Sequence, residues 1–332
     1  MKLIDTVISK NDSRYRAFPD IVRIGDRLAV VFRDSDCHVA TQSRLMIAYS
    51  DDFGASWSDA VVLDHSCGHM PRASRLADGS VVIIDDGAPP NSKQAKCGVA
   101  TRIFKLEPGQ REFTSWQVPT GSPRCIPDCP TFAPDRILQI NDNEWITLGQ
   151  IRLGIISKRH SFANFVYRSL DAGRSWSIDT IALCDPKVRL CEPSMCRLKD
   201  GRIIAFYRNN EPNGATMYNF ADSSGSTWDE ARLAPFFGMR PTVGQLEDGR
   251  LFITYRKLDN PCGTAAWLGS LDELMSMDKS REFMLMPAGD NIPLGDFGYS
   301  GWIELSRGVV YVTYHHADES GQSYIRGVKI TL

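Results

Sequence analysis

Glu192, Arg240 and Tyr299 occupy matching places in three successive copies of one strand-turn-strand segment. The matching residues of the three earlier copies, Phe18, Met70 and Cys129, are apolar, as an interior position should be. A carboxylate and a phenol that project into one cavity need partners, because unpaired buried polar groups are costly. A core tyrosine bonded to a structural glutamate would meet that need, and so would an acid-base pair working on a ligand. Four arginines also fall at inner positions of the repeat: Arg16, Arg208, Arg240 and Arg256. Arginine grips a carboxylate with two parallel donors where lysine offers a point charge, so such a set suits an anionic ligand. Asp85 and Asp86 end the second strand of the second copy, where either can bind hydroxyls or, with its pKa raised by partial burial, give up a proton. His69 and Arg72 border the same region. His315 and His316 are neighbours in a strand and point to opposite faces, which makes them poor joint metal ligands. No metal and no cofactor is expected.

These residues are carried by six segments. They are AFPDIVRIGDRLAVVFR from Ala17, HMPRASRLADGSVVIIDD from His69, DCPTFAPDRILQINDNEWITLGQ from Asp128, CEPSMCRLKDGRIIAFYR from Cys191, MRPTVGQLEDGRLFITYR from Met239 and GYSGWIELSRGVVYVTYH from Gly298. Each holds a short strand, a turn that is often Asp-Gly, and a second apolar strand rich in Val, Ile, Phe and Tyr. Asp-Gly between two such runs is a strong hairpin signal. A third strand follows every hairpin, for example RLMIAYS from Arg44, and a fourth follows most, for example VVLDHS from Val61. The copies recur every 50–60 residues or so, the size of a four-stranded propeller blade with its loops. The last copy has no fourth strand of its own, and the opening KLIDTVI can supply it and close the ring, which removes exposed sheet edges. The expected fold is therefore all-β, a six-bladed propeller of four-stranded antiparallel blades, formed by residues 1–332 as one domain. LDELMSM from Leu271 is the one segment that reads as a helical turn.

With 332 residues, a formal net charge of -2 and both signs mixed throughout, the chain has no electrostatic footprint for nucleic acid or membrane. No apolar run reaches the length of a membrane span. The first residues, MKLIDTVISKNDSRYR, lack the apolar core and cleavage site of a signal peptide, so a cytoplasmic location is expected. The nine cysteines form no repeated framework and read as free thiols.

Two octapeptides follow third strands: SDDFGASW at Ser50–Trp57 and SLDAGRSW at Ser169–Trp176. Both fit S-x-D-x-G-x-[ST]-W, in which the Asp caps backbone N–H groups, the Gly takes positive φ and the Trp buries against the blade. ADSSGSTW, ending at Trp228, is a degenerate copy without the central Asp. Two good matches at one place in the repeat are specific, and with them the whole chain resembles the sialidase (neuraminidase) superfamily of Asp-box propellers. The boxes lie on the outer rim in that family and carry no catalysis.

The resemblance implies roles. The segments DFGYSGWIEL and CEPSMCRLKDGR resemble those bearing the family's tyrosine nucleophile and its glutamate, which are Tyr299 and Glu192 here. A neutral phenol suits an anomeric carbon that carries a carboxylate, since a carboxylate nucleophile would be repelled. Of the family's three arginines, Arg208 matches one, Arg16 resembles the first although it sits a residue further from its proline, and Arg256 or Arg240 stands nearest to the third. Arg33 matches an arginine near the family's site. The general acid should follow it in FRDSDCHVA, where Asp36 is the first choice and Asp34 and His38 compete, with Asp86 as a further possibility. The implied activity is a retaining exo-α-sialidase that releases a terminal sialic acid or related 2-keto-3-deoxy sugar acid from a glycan or oligosaccharide. A propeller glycosidase or lyase acting on another acidic or neutral glycan, and a non-catalytic carbohydrate-binding propeller, are the alternatives.

Overall fold

The structure is a computed structural model that describes residues 2–38, 40, 42–65, 68–86, 101–118, 133–156, 159–185, 187–211, 214–289 and 296–332. Six four-stranded sheets, every pairing antiparallel, make up the fold, so the propeller expected from the repeat is the architecture. The innermost strands of blades one, four, five and six are Tyr15–Ile24, Leu190–Arg197, Met239–Gln245 and Phe297–Ser306. Blades two and three have shorter ones, Arg72–Arg75 and Leu138–Gln139. The opening strand Lys2–Ser9 pairs with the closing strand Ser323–Thr331, Lys2 opposite Thr331, and so becomes the outer strand of blade six. The helical turn is present as Leu271–Met275, capped by a box in which Ser270 and Glu273 bond each other's backbone N–H.

The core is divided rather than central. Six apolar clusters each draw on two neighbouring blades; Phe206 and Phe220 of blade four, for instance, share one with Tyr255 and Trp267 of blade five. A seventh cluster, Tyr15, Ala17, Phe18, Met70, Ala133 and Tyr299, lies at the middle and floors the site described below.

A bulge in the inner strands decides which side chains reach that floor. Pairing shifts register between Ala17 and Asp20, between Cys191 and Ser194, between Met239 and Thr242, and between Phe297 and Ser300. The first residue of each bulge has positive φ: Phe18 at 57°, Glu192 at 44°, Arg240 at 51° and Gly298 at 86°. Ala133, at 44° and followed by Pro134, is the blade-three counterpart. For residues with a Cβ this backbone costs on the order of 1–3 kcal/mol each, and such strain collects where function is built.

Two corrections to the alignment follow. Tyr299 holds the second bulge position, matched by proline in the other blades, so Gly298 and not Tyr299 is the counterpart of Glu192 and Arg240. Glycine is required there because a Cβ would come within 2.8 Å of the Arg256 Cβ. In blade three the counterpart is Ala133, whereas Cys129 lies outside the described residues.

The residues two places after each bulge start are Asp20, Arg72, Asp135, Ser194, Thr242 and Ser300, and all are buried. They plug the axis beneath the site. Arg72 donates to Asp135 at 3.2 Å, to Thr242 at 3.1 Å and to the Ser300 carbonyl at 3.3 Å. Arg136 forks onto Asp20 at 3.0 and 2.5 Å.

At the rim both octapeptide turns share one bonding pattern. Asp52 accepts from the Ser56 N–H and hydroxyl, and the Ser50 hydroxyl accepts from the Gly54 N–H; Asp171, Ser175, Ser169 and Gly173 repeat it. In the degenerate copy Asp222, one place early, accepts from the Ser226 and Thr227 N–H groups and replaces the missing central Asp.

Candidate active site

Over the central floor opens a cavity of about 270 Å³ lined by Phe18, His38, His69, Met70, Ala133, Gln150, Glu192, Arg208, Arg256 and Tyr299. That is small for a ligand pocket and suits a single sugar-sized group.

The phenol of Tyr299 donates to Glu192, 2.7 and 2.9 Å from its two oxygens. One Nη of Arg208 lies 2.6 Å from the Glu192 carboxylate and 2.6 Å from the Tyr299 hydroxyl, tying the pair into a triangle. The second strand of blade four presents Arg208 beside the bulge, opposite Cys191, so bulge and cation face one point. Arg256 has the same relation to the blade-five bulge, opposite Met239. Its guanidinium is 4.4 Å from the centre of the Tyr299 ring and 3.4 Å from the hydroxyl. Arg240 is buried with its guanidinium 5.8 Å from the same ring. Three guanidiniums and one carboxylate thus stand immediately around the phenol.

Their charges set the protonation states. Burial alone would raise the Glu192 pKa, but Arg208 and Arg240 outweigh it and bring it down to about 2. Burial pushes the Tyr299 phenol up to about 12, with Arg208 and Arg256 opposing and Glu192 reinforcing the rise. The resting pair is an ionised carboxylate and a neutral phenol. Gln150 holds the strained backbone of Glu192 by accepting its N–H at 2.8 Å.

Two histidines face the cavity, each backed by an aspartate. His69 Nδ1 lies 2.8 and 2.9 Å from the oxygens of Asp86, which also accepts the Ala133 N–H. His38 Nδ1 lies 3.0 Å from Asp296 and 2.7 Å from the Tyr15 hydroxyl, which itself donates to Asp296 at 2.8 Å. Asp85 accepts the N–H groups of Gly68, His69 and Met70; burial and the neighbouring Asp86 raise its pKa to about 6.

Tyr299, Glu192, Arg208 and Arg256 are thus brought together at the cavity wall, with Arg240 behind the ring. Other residues singled out in the sequence are placed elsewhere. Arg72 is committed to the axial plug. Arg16 is buried but does not line the cavity; it is bonded to Asp34 at 3.0 Å and to the Ser9 hydroxyl at 2.6 Å. Asp34 is fully buried among Arg14, Arg16 and Arg44; burial raises its pKa, but the arginine bonds prevail and hold it below the usual range, so it is no acid. Asp36 is exposed, does not line the cavity and accepts the Cys37 N–H at 3.1 Å. Arg33 is a buttress: it bonds the carbonyls of Cys37 and His38 and stacks 4.7 Å from the Phe18 ring centre. Asp86 does not itself line the cavity and stands behind His69 and Ala133.

Sequence reading missed Gln150, Tyr15 and Asp296. Gln150 lies within its blade's longer second strand, Trp145–Ile156, at the place in the repeat that Arg208 and Arg256 hold in theirs, and that place was the available signal. Asp296 stands three residues before Tyr299. Among the described residues no group of three or more His, Cys, Asp or Glu side chains is placed to hold a metal, and no helix is long and apolar enough to cross a membrane.

Solved structures of other proteins resemble this chain over nearly its full length. A protein of unknown function from Dyadobacter fermentans superposes with a TM-score of 0.83 at 18% identity, covering 98% of both chains. The Hadza microbial sialidase Hz136 gives 0.67 at 14% identity, over 96% of this chain and 66% of that one. The α-L-arabinanase of Penicillium chrysogenum gives 0.66 at 10% identity, over 100% and 99%. The fold is the propeller that these glycoside hydrolases share. No family model and no curated protein sequence matches the chain.

Proposed function

We propose that this chain is a retaining exo-glycosidase that releases a terminal α-ketosidic sugar acid, sialic acid or a related 2-keto-3-deoxy acid, from a glycan. The observation that carries the reading is the Tyr299–Glu192–Arg208 triangle, with every side at 2.9 Å or less. Glu192 takes the phenol proton as the Tyr299 oxygen attacks the anomeric carbon, and Arg208 steadies the developing phenolate. Proton transfer from a neutral phenol to so acidic a carboxylate is uphill on these charges alone. A substrate carboxylate bound to Arg208 would offset its charge at Glu192 and make that carboxylate more basic. Water then displaces the sugar in a second inversion, and the two inversions together retain configuration.

The fold by itself favours a sialidase no more than an arabinanase, since both superpose equally well. The arginines around the phenol are what favour an acid sugar over a neutral one. A panel of fluorogenic α-ketosides of sialic, deaminated sialic and octulosonic acids, with an arabinofuranoside as control, tests this. Turnover of an acid ketoside is expected. Tyr299→Phe should fall to background, and Glu192→Gln should lose ~10²–10⁴-fold, the usual worth of a general base. A Tyr299→Phe enzyme as fast as wild type, or turnover of the arabinofuranoside alone, sinks the proposal.

A further inference from the structure

Asp36 faces solvent and Asp34 is locked among arginines, which leaves the loop after Arg33 with one proton-bearing side chain at the cavity among its described residues, His38. We propose that His38, held by Asp296 and Tyr15, is the general acid and base of the reaction, in place of a carboxylic acid. This rests on the glycosidase reading above.

The geometry is that of an oriented imidazole. Nδ1 is engaged by Asp296 at 3.0 Å and the Tyr15 hydroxyl at 2.7 Å, which leaves Nε2 as the nitrogen available to the cavity. The backbone is fixed from behind, because Arg33 donates to the carbonyls of Cys37 and His38 and is itself buried against Phe18 and Tyr15. The rings of His38 and Tyr299 pack against the same Phe18 ring, with centre separations of 5.8 and 5.2 Å. Acid and nucleophile therefore flank the cavity across one phenyl group. Asp296 lies immediately before the strand Phe297–Ser306, so the segment that delivers the nucleophile also delivers the partner of the acid.

His69 with Asp86 is the rival pair, and position separates the two. The His38 side chain is 48% exposed at the mouth, where a leaving group departs and water enters, against 13% for His69 at the wall. Among the described residues, the titratable and charged groups facing His38 are Tyr15, Arg33, Asp296 and His315. Burial alone would raise the Asp296 pKa, but its bonds to His38 and Tyr15 hold it down, so an anion stands beside the imidazole. In the first step the Nε2 proton passes to the glycosidic oxygen as the C–O bond breaks and the bond to the Tyr299 oxygen forms. In the second step neutral His38 takes a proton from the attacking water and returns to imidazolium.

The test compares two ketosides of one sugar acid: an aryl ketoside with an acidic phenol leaving group, and a sugar-linked ketoside that needs protonation to leave. Wild type, His38→Gln, Asp296→Asn, His69→Gln and Tyr299→Phe are assayed across pH. His38→Gln should lose ~10²–10⁴-fold in kcat/KM on the sugar-linked substrate, less than ~10-fold on the aryl one, and the alkaline limb of the pH profile. Asp296→Asn, a positioning change, should move that limb to lower pH. Equal losses on both substrates, or a selective loss that follows His69→Gln, overturns the assignment to His38. The intact enzyme gives a check independent of folding: rates that fall steeply with leaving-group pKa mean no acid acts, and overturn it too. Undiminished Tyr299→Phe activity, by contrast, removes the underlying glycosidase reading whatever the His38 variants do.

Discussion

Replacing Arg72 with Met separates two roles that one arginine can have in a propeller. As a ligand-gripping residue its loss would weaken substrate binding and leave the fold alone. The structure places it in the axial plug, 2% exposed, where it donates to Asp135, Thr242 and the Ser300 carbonyl and lies 3.8 Å from Asp20. Removing it leaves Asp135 fully buried without its cation and two acceptors without that donor. Breaking a buried ion pair from one side costs about 3–5 kcal/mol, because the surviving charge is uncompensated. Asp135 keeps the Met195 N–H at 2.6 Å and Asp20 keeps Arg136, which favours the lower end. Unfolding entropy at the midpoint is roughly 2 cal/mol/K per residue, or ~0.7 kcal/mol/K for a chain of this length, so Tm should fall by ~4–7 °C. Urea unfolding followed by tryptophan fluorescence and by circular dichroism should show a lower midpoint with an unchanged slope. The double variant Arg72→Met with Asp135→Leu should recover part of the loss, since no charge is then stranded. A shift under 1 kcal/mol together with a raised KM would refute the structural role and restore Arg72 to the binding site.

Two further expectations concern protonation and the rim. The Asp85 pKa is raised from 3.8 to about 6, so the folded chain holds a proton that the unfolded chain releases. That contribution is complete below pH 4 and is lost as pH rises through 6, amounting to ~3 kcal/mol for a fully buried group. Wild type should therefore lose stability relative to Asp85→Asn by up to that amount between pH 4 and 7 in urea titrations, and a constant difference would contradict it. Gly54→Ala should cost ~3 kcal/mol or more, because φ is +85° and the new Cβ would meet the Tyr311 ring at 2.1 Å. Gly249→Ala, at φ +94° with nothing within 4 Å, should cost only the ~1–2 kcal/mol of the backbone; equal midpoints for the two variants would discount the packing argument.

What could be read from the sequence, and what could not, divides at the bulges. The blades were legible because period-two strands and Asp-Gly turns are local signals, and the closing role of KLIDTVI followed from counting strands. Glu192, Arg208 and Tyr299 stood out because polar side chains broke an apolar pattern. Their exact alignment slipped at Tyr299, since a bulge adds a residue and resets which face each side chain takes. For the same reason Arg16 and Arg72, read as site residues, point respectively into the Asp34 cluster and into the axis. Asp34, Asp36 and His38 lie within five residues of one another, and only tertiary partners separate them. Asp34 is claimed by arginines of its own blade, whereas His38 meets Asp296 from the far end of the chain. No local pattern encodes that meeting.

The pairing of Lys2 with Thr331 also has a consequence in time. During synthesis the strand Lys2–Ser9 leaves the ribosome with no partner, and the sheet it belongs to is completed only once Ser323–Thr331 has been made. Five blades can stack in order while their edges wait. Joining ends so far apart costs the chain ~5 kcal/mol or more of loop entropy if nothing is yet formed, but far less once the intervening blades have docked and curved the two ends together. Ring closure thus becomes a late, cooperative event in folding. Because Lys2 and Thr331 finish side by side, the break in the ring is an arbitrary one, and a chain permuted to begin at another blade junction would face the same search with a different blade left until last.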